Sequence, residues 1–227
     1  MGSTRLPGKA LEPILDRPLL LRLIDRLSGS ETLDGIVVAT TVRDDDDRLV
    51  DELKRAGITV RRGPIDDVLT RFLQVIDEFA PDTIVRLTGD NPLVDAATVD
   101  TVVRAHAASG ADYTTNGLSG RYPYGLNVEV VQTSALRTLA ALPLTQRDRE
   151  HVTIGLLERP DRFVLASVTQ QRDNSDLRWT VDLADDLVWA REVFASLHPI
   201  NPRFGQQDVI DLIARRPELR RTMGDAP

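Results

Sequence analysis

Cysteine is absent, which excludes disulfides, thiolate metal ligands and a cysteine nucleophile. That absence suits a reducing compartment, and a cytoplasmic location is expected. Positive charge is in deficit, with 28 Lys and Arg against 35 Asp and Glu and a formal net charge of −7. Such a surface does not attract nucleic acid or an anionic membrane, so an anionic ligand has to be held by a local cluster of cations. No apolar run approaches the ~18 residues of a membrane span. No Gly-x-Ser-x-Gly motif is present, so an acyl-transfer nucleophile has no support. Only three histidines occur. His106 falls inside a predicted helix and His198 precedes Pro199, both positions for structural or solvent-facing rings. His151 stands beside Arg147, Arg149 and Glu150, where a surface cluster and a substrate contact are both open readings. Lys9 and Lys54 are the only lysines. Internal repeats, low-complexity tracts and long linkers are missing too, so residues 1–227 are expected to form a single domain. With 41% hydrophobic and 28% charged residues the chain has ample core for it.

What is present begins at Met1-Gly2-Ser3-Thr4-Arg5-Leu6-Pro7-Gly8-Lys9. Two glycines, a Ser-Thr pair and a proline frame two cations in a segment too irregular for a helix or strand. Glycine lets backbone N–H groups approach phosphate oxygens, while Arg5 supplies a forked donor and Lys9 a point charge. The spacing is not that of a Walker A loop.

Strand and helix patterns then alternate. A helix is predicted from Arg17 to Leu27, a buried strand over 36–40, a helix from Asp44 to Ala56 and a strand over 58–61. The four aspartates 44–47 read as a solvated helix start. A turn at 62–67 precedes the helix Val68 to Phe79, and the strand 83–88 runs into Gly89-Asp90-Asn91-Pro92. Helix Ala96 to Ser109, strand 112–115, a loop over 117–125, strand 127–131 and helices 134–142 and 146–158 follow. Strands over 163–168 and up to Asp182 and helices 185–197 and 206–215 complete the pattern. This alternation predicts an α/β fold with parallel strands, and in such sheets ligands sit at the carboxyl ends of strands. Asp90 and Asp182 both end strands. Two carboxylates near a cationic loop suit a magnesium ion on a nucleoside triphosphate. Taken singly, Asp90 also reads as a turn residue before Pro92 and Asp182 as a helix N-cap.

Seven motifs together carry a resemblance. Gly-Ser-Thr-Arg-Leu-Pro-Gly-Lys (2–9), Val-Val-Ala-Thr (37–40), Arg62-Gly63 with Asp66-Asp67-Val68-Leu69, Thr-Gly-Asp-Asn-Pro-Leu (88–93), Tyr122-Pro123-Tyr124-Gly125 with Val128-Glu129-Val130, Arg149-Glu150-His151-Val152 and Arg178-Trp179-Thr180-Val181-Asp182 stand in order. The chain thus resembles the SpsF-like cytidylyltransferases, relatives of the CMP-sialic acid and CMP-Kdo synthetases, over nearly its whole length. The resemblance implies a Rossmann-like, three-layer nucleotidyltransferase fold with a mixed, mainly parallel sheet, and the reaction of CTP with an acceptor to give CMP-acceptor and pyrophosphate. It places Gly2, Ser3, Thr4, Arg5, Gly8 and Lys9 around the triphosphate, with Arg5 and Lys9 as charge partners. It implies magnesium on Asp90 and Asp182, and puts Gly63, Asp66 and Asp67 near the cytosine. Arg121, Tyr122, Gly125, Asn127, Glu129, Arg149, His151 and Arg178 would face an anionic acceptor. A 2-keto-3-deoxy sugar acid is the expected acceptor, with a phosphonate or a phosphorylated sugar or alcohol as alternatives. A homodimer is expected, through an arm at 117–131.

The chain departs from the family at its start. Relatives carry an apolar strand, ending in an Ala-Arg pair, ahead of the Met-Gly-Ser equivalent. That strand is central in a doubly wound sheet, and its absence is expected to leave neighbouring strands with unpaired backbone groups and an open core. Upstream codons are expected to encode it. Two other readings compete. A nucleotide-sugar glycosyltransferase would want an Asp-x-Asp motif that Gly89-Asp90-Asn91-Pro92 does not supply, and a non-catalytic nucleotide-binding remnant has no need of Lys9, Asp90 and Asp182.

Overall fold

In the computed structural model, which describes residues 5–225, a turn at Lys9–Leu11 leads into a small hairpin. Its strands β1 (Pro13–Ile14) and β2 (Arg17–Pro18) pair antiparallel around Leu15, whose φ is +57°. Pro18 is therefore the N-cap of helix α1 (Leu19–Leu27), which starts later than the predicted Arg17 because Arg17 is used in the hairpin. Leu19, Leu20, Leu21, Leu23, Ile24 and Leu27 are all buried. Buried among them, Arg26 donates to the carbonyls of Leu93, Val94 and Phe204 at 3.1, 3.2 and 2.7 Å and lies over the Phe204 ring at 4.1 Å. Burial pulls its guanidinium down to about 10. This arginine ties α1 to the loop that follows Asp90.

Strand β3 (Val37–Thr41) runs into α2 (Asp47–Arg55) through one turn of 3-10 helix at Asp44–Asp46. Within the aspartate run Asp46 is buried and accepts from Thr40 Oγ1 and the Thr41 backbone at 2.7 and 3.0 Å, so it joins strand to helix rather than facing solvent. Strand β4 (Thr59–Gly63) pairs parallel with β3, Thr41 opposite Gly63. Helix α3 (Val68–Phe79) is capped by Asp67, which accepts from Thr70 N at 2.8 Å. Then come β5 (Thr83–Arg86), α4 (Ala96–Ser109) capped by Asp95, β6 (Tyr113–Thr115), β7 (Glu129–Gln132) and α5 (Thr133–Ala140). The single helix expected over 146–158 is two, α6 (Gln146–His151) and α7 (Ile154–Leu157). Val152, buried at φ +57°, breaks it, with Thr153 N donating to His151 O at 2.6 Å in a γ-turn. Strand β8 (Leu165–Ser167), α8 (Ala184–Leu197) and α9 (Gln206–Arg215) complete the elements. The strand expected to end at Asp182 is instead an irregular segment with isolated bridges, Tyr124 to Arg178 and Leu177 to Thr222.

The four-stranded sheet has the order β5-β7-β6-β8; β5, β6 and β8 run one way and β7 against them. Neighbouring strand residues feed separate cores, as the period of two requires. Val130 and Val85 join a cluster with α1, α4, α8 and α9, whereas Val131 and Ile84 join one with α3, α5 and α7. The result is a helix–sheet–helix, three-layer α/β arrangement. No helix among the described residues is long and apolar enough to cross a membrane.

The sheet is split. Strands β3 and β4 form their own pair, and among the described residues no ladder joins β3 to β5. Val38 of β3 and Val85 of β5 stay only partly buried at this gap. Each of the two facing edges therefore has no strand partner among the described residues.

His106 packs α4 on β6, its Nδ1 2.9 Å from Thr114 Oγ1. Burial holds its pKa below the ordinary 6.5, partly offset by Asp112. The unfolded chain therefore binds the proton more readily, so the neutral ring's contribution is complete above that value and lost as pH falls through the depressed one. Between pH 7 and pH 5 the wild type is expected to lose more thermal stability than His106→Gln. Parallel losses in the two proteins would contradict this.

Candidate active site

The candidate side chains gather beyond the carboxyl end of β5 from separate segments: the turn at Lys9–Leu11, the loop that follows β5 and the irregular segment ahead of α8. Gly8, in the left-handed region at φ +75°, turns the chain so that Lys9 starts its 3-10 turn pointing inward. Asp90 follows β5, where Thr88 Oγ1 donates to its Oδ1 at 2.7 Å and Asn91 Nδ2 to Thr88 Oγ1 at 2.9 Å. Val181 N donates to Asp90 O at 2.8 Å, which brings Asp182 alongside. Lys9 Nζ meets all three: Asp90 Oδ2 at 3.0 Å, Asp182 Oδ1 at 3.2 Å and Val181 O at 2.8 Å. Arg5, 63% exposed, reaches Asp182 Oδ1 at 3.4 Å. Residues separated by as many as 173 positions thus meet at one ammonium group. Gly2, Ser3 and Thr4 lie outside the described residues.

Two carboxylate oxygens and a carbonyl oxygen converging on one cation form a hard donor set. No group of three or more His, Asp or Glu gathers among the described residues in a way that would hold a metal. The residues therefore fit a cation that takes one or two carboxylates and completes its shell with water and phosphate oxygens, as magnesium does.

Behind Asp182 stands a charged frame that the sequence did not announce. Arg178, expected at the acceptor, is only 4% exposed. Its Nη2 donates to Asp182 Oδ2 at 3.1 Å, and its fork grips Asp186 Oδ1 and Oδ2 at 2.6 and 3.1 Å. Asp186, fully buried, also accepts from the backbone N–H groups of Asp182 and Leu183, both at 2.9 Å. Burial alone would raise the Asp186 pKa, but Arg178 and the two N–H donors outweigh it and hold the carboxyl below the usual range. Asp186 rather than Asp182 closes the amino end of α8, whose N-cap is Leu183. Its signal in the sequence was only an acidic residue in a helix's first turn.

Glu129, first residue of β7, pairs with Arg86 and accepts from Tyr113 Oη and Thr153 Oγ1 at 2.7 and 2.6 Å. It therefore ties three strands to the strained turn at Val152. Arg149 Nη1 meets Asp67 Oδ2 at 2.9 Å, and Gln146 Nε2 meets Asp66 O at 2.5 Å, so the 63–67 turn and α6 are joined. A cavity of about 470 Å³ lies there, lined by Ile65, Asp66, Val68, Arg71, Gln146 and Glu150. Gly63 is buried, and an added Cβ would fall 2.6 Å from Gln74 Oε1. His151 is exposed and Asn127 half-buried beside Gly117. Arg121 donates to Gln171 O at 2.7 Å, Tyr122 is half-buried, and Gly125 sits at φ +109°. Arg121, Arg149 and Arg178 thus have separate partners. Residues 121–125 lie along 174–179, with Asn174 N to Arg121 O, Tyr124 N to Leu177 O and Trp179 N to Tyr124 O at 2.9, 2.9 and 2.7 Å.

The cytidylyltransferase family model matches residues 1–193. The chain is 32% identical over 225 residues to the spore coat polysaccharide biosynthesis protein SpsF of Bacillus subtilis (strain 168), covering 96% of this chain and 92% of that protein. A solved cytidylyltransferase structure from Leptospira borgpetersenii serovar Hardjo-bovis (strain JB197) superposes with a TM-score of 0.91 at 30% identity, over 97% of this chain and 92% of that one. A CMP:2-keto-3-deoxy-manno-octonic acid synthetase complexed with CTP shares the fold, with a TM-score of 0.66 at 17% identity over 86% and 95% of the two chains. The α/β nucleotidyltransferase fold expected from the motifs is the fold of these neighbours. The chain belongs to the cytidylyltransferase family and is a nucleotidyltransferase.

Proposed function

We propose that the enzyme transfers the cytidylyl group of CTP to an anionic acceptor with magnesium, releasing pyrophosphate, and that the acceptor is a 2-keto-3-deoxy sugar acid. One observation carries the reading: Asp90 and Asp182, from two separate chain segments, converge on one cation with Lys9 Nζ 3.0 and 3.2 Å away. An ammonium standing between two carboxylates marks a place where positive charge is required. When bound there, magnesium supplies Lewis-acid polarisation of the phosphate oxygens. Lys9 then has phosphate oxygens to turn to, and Arg5, already at the open side, adds a forked donor to the triphosphate.

The acceptor oxygen forms a bond to the α-phosphorus as the bond from that phosphorus to the bridging oxygen breaks. Pyrophosphate leaves with the electron pair, and the acceptor hydroxyl's proton passes to solvent. Negative charge grows on the leaving group, where Lys9 and Arg5 neutralise it, so the protein's work is alignment and electrostatics rather than covalent catalysis. In this reading Gly63, Asp66 and Asp67 border the cytosine, and Arg149 and His151 face the acceptor with Tyr122, Gly125, Asn127 and Glu129; the contact of Arg149 with Asp67 at 2.9 Å, which joins α6 to the 63–67 turn, supports it. Support for the acceptor class comes from the CMP:2-keto-3-deoxy-manno-octonic acid synthetase that shares the fold. Support for a homodimer comes from Leu118 and Tyr124 of the 117–131 segment, exposed by 49% and 46%.

Pyrophosphate release tests the reading, from each of CTP, UTP, ATP and GTP with magnesium and a panel of 2-keto-3-deoxy sugar acids, phosphonates and sugar phosphates. Release confined to CTP and one sugar acid, and lost in Asp90→Ala, is expected. Release with a phosphonate or sugar phosphate instead would overturn the acceptor assignment, and turnover only of a nucleotide-sugar donor would overturn the reaction.

A further inference from the structure

The family model ends at residue 193, yet the chain beyond it returns to the active site. Trp189 Nε1 donates to Leu219 O at 2.7 Å, Arg178 N to Arg221 O at 3.0 Å and Met223 N to Asp176 O at 2.9 Å, while Leu177 and Thr222 form an antiparallel bridge. Residues 221–223 are thereby laid along 176–178, the stretch that leads to Asp182. The side chain of Arg221 continues inward. Its Nη2 lies 2.9 Å from Asp186 Oδ1, and its Nη1 donates to Asp185 O at 3.0 Å.

Charge sharing gives this contact a consequence. Asp186 is wholly buried, and a buried carboxylate draws the nearest guanidinium into a full two-bond grip. Arg178 Nη2, however, is divided, standing 3.1 Å from Asp186 Oδ2 and 3.1 Å from Asp182 Oδ2. That division is sustainable because Arg221 brings a second cation to Asp186. Two arginines then face two carboxylates, Asp182 Oδ2 stays anchored, and Asp182 Oδ1 stays turned toward Asp90 and Lys9. Both Nη atoms of Arg178 already bond Asp186, so without Arg221 the Nη2 shared with Asp182 Oδ2 would be drawn over to Asp186 and the hold on Asp182 loosened.

We propose that Arg221, from the chain beyond the matched family region, is a positioning residue that keeps Asp182 in its metal-holding orientation by relieving Arg178 of part of its duty to Asp186. The inference rests on the proposed role of Asp182 as a metal ligand. Its test is Mn²⁺ affinity, measured without nucleotide and with CTP by the signal of free Mn²⁺ in electron paramagnetic resonance, in the full-length wild type, Arg221→Met, Arg221→Lys and Asp182→Asn. Met keeps the apolar stem and the backbone bridge of residue 221, and Lys keeps the charge. Arg221→Met is expected to weaken Mn²⁺ binding about 10–100-fold, as loss of an outer-shell partner does, and Arg221→Lys to recover most of that loss. Wild-type affinity in a folded Arg221→Met, or an equal loss in both Arg221 variants, would overturn the proposal. If Asp182→Asn binds Mn²⁺ like the wild type, the metal-ligand reading fails instead, so the two failures are distinguishable.

Discussion

Asp182→Asn is expected to slow pyrophosphate release from CTP by about 10³-fold while leaving the unfolding midpoint within ~3 °C of the wild type. The two halves of that expectation come from different neighbours. On the catalytic side, Asp182 Oδ1 is one of the two carboxylate oxygens that converge with the Val181 carbonyl on Lys9, and an amide in its place removes a unit of negative charge from the proposed magnesium site. On the structural side, the buried partner Asp186 keeps its grip on Arg178 and on the N–H groups of residues 182 and 183. Lys9 keeps Asp90 at 3.0 Å and Val181 O at 2.8 Å, so no buried cation loses all its partners. Steady-state pyrophosphate release with matched thermal unfolding checks both halves. A rate within tenfold of wild type would remove Asp182 from the reaction, and a collapse in stability would make it a structural residue.

Gly125→Ala is expected to have the largest effect on folding, about 3 kcal/mol or more, which lowers the unfolding midpoint by roughly 6–12 °C. At φ +109° residue 125 sits where a side chain is strained whatever the space around it. The space is also taken. An added Cβ would lie 2.6 Å from Thr180 N and 2.7 Å from Trp179 C, both backbone atoms that cannot swing aside. Relief would require 121–125 to part from 177–180, breaking the paired hydrogen bonds between Tyr124, Leu177 and Trp179 at 2.9 and 2.7 Å. Trp179 is fully buried in the larger core, and Asp182 lies three residues on, so the damage reaches the active site as well. Calorimetry of Gly125→Ala decides it, and a midpoint within 2 °C of wild type, on the scale of a ~1 kcal/mol effect, would contradict the close packing of these segments.

The parts of the fold that could be read from sequence are those specified locally. The apolar run of β3, the capped helices α3 and α4 and the step from β5 into Gly89-Asp90 each carry their own periodicity or cap; the two helices formed with the expected bounds, β3 one residue later and β5 two residues shorter. The hairpin of β1 and β2 is two residues a side and has no period to detect. The break between α6 and α7 falls on Val152, a β-branched residue for which a positive φ is costly, so nothing local predicts it; Thr153 and Glu129 accompany it from the tertiary structure. Asp90, Asp182 and Lys9 were legible as an ensemble because recognisable motifs surround each. The arginines were not, because a guanidinium's partner depends on which carboxylate the fold brings near. Arg149 goes to Asp67 and Arg178 to Asp186, and Arg221 had no motif at all.

Labelled nucleotide reads directly which bond of CTP is broken. With CTP labelled at the α-phosphorus, magnesium and a 2-keto-3-deoxy sugar acid, the label is predicted to appear in a CMP-sugar adduct. With CTP labelled at the γ-phosphorus, it is predicted to appear only in pyrophosphate, and both transfers should vanish in Asp90→Ala. Label from the γ-position in free orthophosphate, or from the α-position in free CMP or CDP with no adduct, would contradict the account.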